Sequence, residues 1–187
     1  MEKFEQELGY IKNPTIRKFA EVAIESFPSY FWSIPASSTG KYHPQFATGS
    51  GGLYRHVRAA VGIAVELFRM RMFNYFTDDE KDLIIATLIC HDSFKSGVPQ
   101  AKFTKFNHPT IACEELSRNE KLRRIISPEY FGFIMAGIGS HMGQWNVKDE
   151  CSLPLPETKA QNFIHLVDYL SSRKILEYNF DVKPVRE

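Results

Sequence analysis

Residues 83–97 read LIIATLICHDSFKSG, an apolar run that ends on an adjacent histidine and aspartate, His91 and Asp92. Upstream, Thr77-Asp-Asp-Glu80 has the form of a capping box, with Glu80 placed to reach back to the Thr77 amide. A helix opens there and carries Leu83, Ile84, Thr87, Leu88 and His91, so two ionisable side chains close a buried helix. Burying either is unfavourable unless it is paired or holds a metal.

Outward from this helix the pattern stays helical. Asn13 as N-cap and Pro14 at the first helical position, followed by Ile16, Phe19, Ala23 and Phe27, predict a helix over 13–27 that Pro28 ends. Residues 28–52 turn to Pro, Ser, Thr and Gly, a loop of about 25 residues, and loops beyond roughly 12 to 15 tend to be functional or disordered. It is expected to border a site. A helix is predicted over 53–75, with Leu53, Val57, Ala60, Ala64 and Leu67 on its inner face and His56 beside that stripe.

Further helices are predicted from Asn107 or His108 through Leu116, and from Ser127 to between Gly139 and Gly143 with His141 at the end. The last runs over 156–178, with Ala160, Ile164, Val167 or Asp168, and Ser171 facing inward, and the tail 181–187 is expected to fray. No repeat or β-hairpin signal interrupts this, so the fold is expected to be all-α.

The chain has 187 residues, 43% apolar and 24% charged, the make-up of one globular domain. A single domain over 1–187 is expected. The net charge of +1 removes the electrostatic basis for strong duplex nucleic-acid binding or for an anionic membrane surface. Cys90, Cys113 and Cys151 form no metal ladder and read as free thiols in a reducing compartment. The opening MEKFEQELGYIKNP lacks the basic start and apolar core of a signal peptide, and no apolar run approaches membrane-spanning length. These features predict a cytoplasmic protein. The aromatic segment 27–32, FPSYFW, fits either core packing or the surface of a homo-oligomer.

Five of the six histidines fall at helix ends or on apolar helix faces, and four of them, in order with two acids, read His56, His91-Asp92, His108, His141 and Asp168. One buried histidine is ordinary core. A set on separate helices, with Asp92 beside His91, is the pattern of a metal site between facing helices.

These residues resemble the HD-domain metal-dependent phosphohydrolases, whose motif is H…HD…D on a helical bundle. The match covers about residues 41–173: GGLYRHV at 51–57 is similar to the first-histidine helix, ICHDSFKSG at 89–97 to the HD segment and HLVDYLSS at 165–172 to the last-aspartate helix. NHP at 107–109 and SHMG at 140–143 extend the likeness to the two-metal subset, above all the HD domains of bacterial 3′-to-5′ exoribonucleases and related stand-alone phage and bacterial hydrolases. The resemblance implies that His56, His91, Asp92 and Asp168 hold one divalent metal and that Asp92 bridges to a second on His108 and His141. Mn, Fe, Co, Ni or Zn suits such ligands. Met142 follows His141 where some relatives have a second histidine, and the GYP segment of cyclic-dinucleotide phosphodiesterases is absent.

Two metals about 3.5 to 4 Å apart activate a water and neutralise a phosphoryl oxygen, the chemistry of phosphate-ester hydrolysis. Lys95, one turn beyond Asp92, is placed to pair with a phosphate oxygen, and the two are the expected catalytic residues. Candidate substrate contacts are Lys41 and His43 in the long loop, Arg55 beside His56, Trp145 as a stacking wall for a base, and His165 one turn before Asp168. Each also has a plain structural reading. SSTGK at 37–41 lacks the first glycine of a phosphate loop, which rejects an NTPase.

The expected function is hydrolysis of a phosphate ester in a nucleotide or short oligonucleotide. Only about 35 residues precede the SSTGK stretch, too few for an OB-type nucleic-acid domain, which favours small nucleotides over long polymers. The same ligand order occurs in helical di-iron oxygenases, and a nucleotide sensor that keeps the metals without turnover is a third reading.

Overall fold

The computed structural model describes residues 3–174. Its eight described helices are α1 (Glu5–Leu8), α2 (Pro14–Glu25), α3 (Gly52–Leu67), α4 (Asp78–Cys90), α5 (His108–Arg118), α6 (Glu120–Ile125), α7 (Pro128–Ser140) and α8 (Lys159–Ser171). The bundle is all-α, as the sequence pattern predicts. Residues Asp82 to Cys90 of α4 are all buried, and a helix without a polar stripe has to be enclosed on every side. Four helices, α2, α3, α7 and α8, pack around it. The Thr77 hydroxyl accepts from the Glu80 amide while the Glu80 carboxylate accepts from the Thr77 amide, so the capping box forms as read.

Close helix approach depends on Gly137. A Cβ there would lie 2.8 Å from both Ile164 Cδ1 and Thr87 Cγ2, so α7 meets α8 and α4 only because this position has no side chain.

Several boundaries differ from the sequence reading. The helix predicted over 53–75 ends at Leu67, and a 3₁₀ turn, Arg71–Phe73, follows. Phe68, Phe73 and Phe76 gather around Phe163 of α8 with centroids 5.0 to 5.2 Å apart. Burying these rings on α8 outweighs continuing a helix whose Met70 and Met72 would stay exposed. The last helix starts at Lys159 rather than 156, because Thr158 and Gln161 form a second capping box. It ends at Ser171, with Ser172 as its C-cap, rather than near 178, and the tail expected to fray, 181–187, lies outside the described residues.

A minimal hairpin, β1 (Val147–Lys148) paired antiparallel with β2 (Cys151–Ser152), was not expected. Two residues per strand are too few to show alternation.

The segment 28–52 is less irregular than its composition predicts, holding 3₁₀ turns at Ser29–Trp32 and Gln45–Ala47. Phe27, Tyr30 and Phe31 are buried, with Phe27, Phe31, Trp32, Phe4 and Tyr54 in one aromatic cluster. Phe27, Tyr30 and Phe31 thus belong to the core. Buried Asp82 anchors α2 from α4, accepting from the Lys12 and Asn13 amides at 2.9 and 2.7 Å. Cys90, Cys113 and Cys151 are free thiols. No described helix is long and apolar enough to cross a membrane.

Candidate metal centre

The C-terminal end of α4 delivers His91 and Asp92 into the middle of the bundle, where α3 brings His56, α5 His108, α7 His141 and α8 Asp168. Their donor atoms fall into two groups that share Asp92: His56, His91, Asp92 and Asp168 in one, Asp92, His108 and His141 in the other, with all donors of a group within 4.8 Å of one another. His56 Nε2 lies 3.1 Å from Asp168 Oδ1 and 3.5 Å from Asp92 Oδ2, and His91 Nε2 lies 3.4 Å from each of the same two oxygens. On the other side, Asp92 Oδ1 is 2.9 Å from His108 Nε2 and 3.6 Å from His141 Nε2.

The orientation of the four rings follows from what their outer nitrogens meet. His91, His108 and His141 each place Nδ1 on the backbone carbonyl three residues earlier, Leu88, Lys105 and Ile138, at 2.6 to 2.8 Å. A carbonyl only accepts, so each Nδ1 carries the proton. His56 places Nδ1 3.1 Å from Ser171 Oγ, whose single hydrogen already goes to the Asp168 carbonyl at 2.8 Å; His56 therefore donates as well. Neutral rings arranged so turn four Nε2 lone pairs inward while the outer N–H is held by a carbonyl or hydroxyl, as in histidines that bind metals. His56 Nε2, His91 Nε2 and Asp92 Oδ1 are buried with no hydrogen-bond partner. Leaving such groups unsatisfied is costly, and a divalent cation in each group satisfies them. The residues fit the metals the resemblance implies.

Charge balance agrees. Burial alone would raise Asp92, yet the Lys95 ammonium and the neighbouring His91 hold it well below the ordinary carboxylate range. Asp168 is likewise drawn well below its usual value, against burial, by the neighbouring His56 and His91. Burial also opposes a charge on His91, but Asp92 and Asp168 outweigh it and carry its pKa up to about 10. Without a metal, a proton on His91 sits between the two carboxylates. His141 is pushed down to about 3 by burial and by the neighbouring His91 and His108.

The other candidate residues surround this cluster. Lys95 Nζ donates to Asp92 Oδ2 at 2.5 Å. It borders a cavity of about 380 Å³ lined also by Ser37, Ser38, Thr39, His43 and His108. His43 stands with its ring 5.5 Å from that of His56 and its Nδ1 buried without a partner. Lys41 lies on the exposed rim of the same loop. Arg55 turns away from the metal ligands: its guanidinium donates to the Phe46 and Thr48 carbonyls and ties the long loop to α3. His165 places Nδ1 2.8 Å from the His141 carbonyl, behind the cluster. Gly143, at φ +55, leaves room for that ring, since a Cβ would lie 2.2 Å from it. Trp145 stacks on Tyr169, 5.3 Å away and 12° from parallel, outside the ligand groups. A larger hollow of about 610 Å³ lined by Ser117, Arg123 and Phe131 lies away from the cluster, so volume alone does not mark the site.

Sequence reasoning missed four contributors. Ser171 was read only as an inward-facing residue, although its place one turn after Asp168 was a usable signal. Phe103 and Thr104, in the cavity wall, and Tyr169, under Trp145, carry no motif.

An all-α bundle with an H…HD…H…H…D cluster at its centre has the ligand order of the HD-domain metal-dependent hydrolases, the family that the chain resembles. It is 26% identical over 185 residues to the 3′-5′ exoribonuclease YhaM of Bacillus velezensis, an alignment covering 94% of this chain and 54% of that protein. The chain thus spans about half the length of this relative. No family model and no solved structure matches it.

Proposed function

We propose that the chain hydrolyses a phosphate ester in a nucleotide or short oligonucleotide. The observation that carries this reading is the pair of ligand groups joined through Asp92 beside a lysine-lined cavity. The exoribonuclease relative supports a nucleic-acid chain end as substrate. His56, His91, Asp92 and Asp168 would hold one divalent ion, and Asp92, His108 and His141 a second. When bound, such ions supply an activated water and offset the charge of the phosphoryl oxygens.

The chain's own groups do the rest. Asp92, kept ionised by Lys95 and its histidines, offers one oxygen to each group. Lys95 reaches the cavity wall from this carboxylate, where its ammonium serves as a point charge for a phosphoryl oxygen. His43, kept neutral by burial and then by neighbouring His56 and Lys95, with its pKa near 3, offers the substrate a hydrogen bond and no charge. The hydroxyls of Ser37, Ser38 and Thr39 line the same wall, and Lys41 is exposed in the same loop. Arg55 and His165 act on substrate only through the loop and the ligand they hold.

Lys95 and the polar cavity favour phosphate chemistry over the oxygenase and sensor readings. Elemental analysis with a product screen over nucleotides and short RNA in added Mn²⁺ tests this. Bound metal and ester cleavage, both lost in His91→Ala and Asp92→Ala, are expected; iron with oxygen uptake and no cleavage, or tight nucleotide binding with no product, would overturn it.

A further inference from the structure

The stretch between Asp92 and His108, residues 93–107, carries Lys95 and has no regular helix or strand to hold its shape. It folds back on itself at Gly97, which stands at φ +79, the left-handed region that favours glycine. The two arms of the bend run close together, since a Cβ at Gly97 would lie 3.2 Å from Lys105 Cγ. The Lys105 amide donates to the Lys95 carbonyl at 2.9 Å, and the Lys105 carbonyl accepts from His108 Nδ1 at 2.8 Å. Lys105 thus joins the backbone of Lys95 to the ring of a metal ligand. Between them, the Ala101 amide donates to the Ser96 carbonyl at 2.8 Å.

A buried side chain from a distant part of the sequence grips this bend. The Tyr30 hydroxyl donates to the Gly97 carbonyl at 3.0 Å, 67 residues away. Tyr30 is 6% exposed, and burial pushes its phenol up to about 12, so it keeps the proton it donates. Its own backbone is fixed: the Tyr30 carbonyl accepts from the Ser33 and Ile34 amides at 3.0 Å each, and Phe27 and Phe31 of the same segment are buried. Ser38 also reaches the loop, but by a solvent-exposed contact with Thr104. A core tyrosine with its hydroxyl satisfied is ordinary. This one is set apart by what it holds, the turn that decides how Lys105 meets Lys95. Gly97 is buried as well, so loss of the hydroxyl leaves a buried carbonyl without its donor.

We propose that Tyr30 is a positioning residue for phosphate-ester hydrolysis: its hydroxyl holds the Gly97 bend, and the bend sets the Lys95 ammonium against the Asp92 carboxylate and the cavity wall. The inference rests on the hydrolase reading and traces the placement of Lys95 to a group that is neither a metal ligand nor part of the cavity lining. A shift of about 1 Å in a reacting or charged group is enough to remove much of its effect.

Tyr30→Phe keeps the buried ring and removes only the donor. In the Mn²⁺-loaded chain this variant is expected to lower kcat about tenfold on bis(p-nitrophenyl) phosphate or on the best-cleaved nucleotide of the product screen, with KM within about twofold and metal content as in wild type. Backbone amide exchange, read by mass spectrometry, is expected to quicken about tenfold over residues 94–105 and nowhere else. In a chain that already carries Lys95→Gln, adding Tyr30→Phe is expected to cost less than about twofold, because the tyrosine acts through the lysine. An unchanged kcat, unchanged exchange over 94–105, a second tenfold loss in the Lys95→Gln background, or a lowered melting temperature with exchange quickened throughout the core each overturns the inference. A wild type that cleaves none of these esters sinks the hydrolase reading, while exchange quickened only over 94–105 separately upholds Tyr30 as the residue that holds the Lys95 loop in place.

Discussion

His108 Nε2 and His141 Nε2 face each other at 3.1 Å, each ring with its other nitrogen committed to a backbone carbonyl. Two lone pairs held that close repel, and a cation between them removes the repulsion. Only Asp92 links this pair to the other ligand group. Elemental analysis should therefore find about two ions per wild-type chain, about one in His141→Ala, and almost none in Asp92→Ala. Equal loss in both variants would contradict two separable sites.

Metal uptake should strengthen with pH. The metal-free site keeps a proton on His91 up to about pH 10, and binding has to expel it, so affinity should rise about tenfold per pH unit across the neutral range. The sign is reversed for the metal-free fold. The folded pKa lies above the ordinary 6.5, so protonation stabilises fully below about 6.5 and the effect fades as pH climbs through about 10. Chelator competition at several pH values checks the first trend, and melting in EDTA the second.

Replacing Lys95 separates charge at the substrate from metal retention. Lys95→Gln should lower kcat by about 100-fold on a phosphate ester while metal content stays close to wild type, because the lysine contacts Asp92 but is no ligand. Loss of both metals in this variant would reassign Lys95 to holding Asp92 in place.

Away from the site, Asp82→Ala leaves the Lys12 and Asn13 amides without their acceptor. Denaturation should show a loss of about 1 to 3 kcal/mol. A change within about 0.5 kcal/mol would mean that water replaces the carboxylate fully.

Gly143→Ala should disturb the site from behind. Its Cβ would meet the His165 ring, which holds the His141 carbonyl, and φ +55 is strained for alanine. The second metal should bind more weakly, read by chelator titration, with the first unaffected.

Those parts of the molecule governed by local rules were legible beforehand. The capping box at Thr77, the Pro14 and Pro128 helix starts and the inward stripe of α8 depend on residues a few positions apart, and each forms as read. The convergence of His56, His91, Asp92, His108, His141 and Asp168 was visible because buried ionisable groups need partners and the family likeness supplied them. Features set by distant packing were not. The end of α3 is decided by Phe163, nearly a hundred residues on, and Arg55 is drawn to carbonyls of a loop whose path no short-range pattern dictates. Tyr42 and Arg173, far apart in sequence, likewise meet only once the bundle is closed.

The carbonyls of Leu88 and Ile138, which orient His91 and His141, belong to the last turns of α4 and α7, where helices run out of internal donors. The imidazoles complete those turns, so the frame of the site is finished by the polypeptide before any ion arrives. Small domains that coil around zinc unfold when it is stripped; this bundle, with its own continuous apolar interior, is built to survive the exchange of one ion for another. Which ion it carries then becomes a matter of supply in its surroundings rather than of folding.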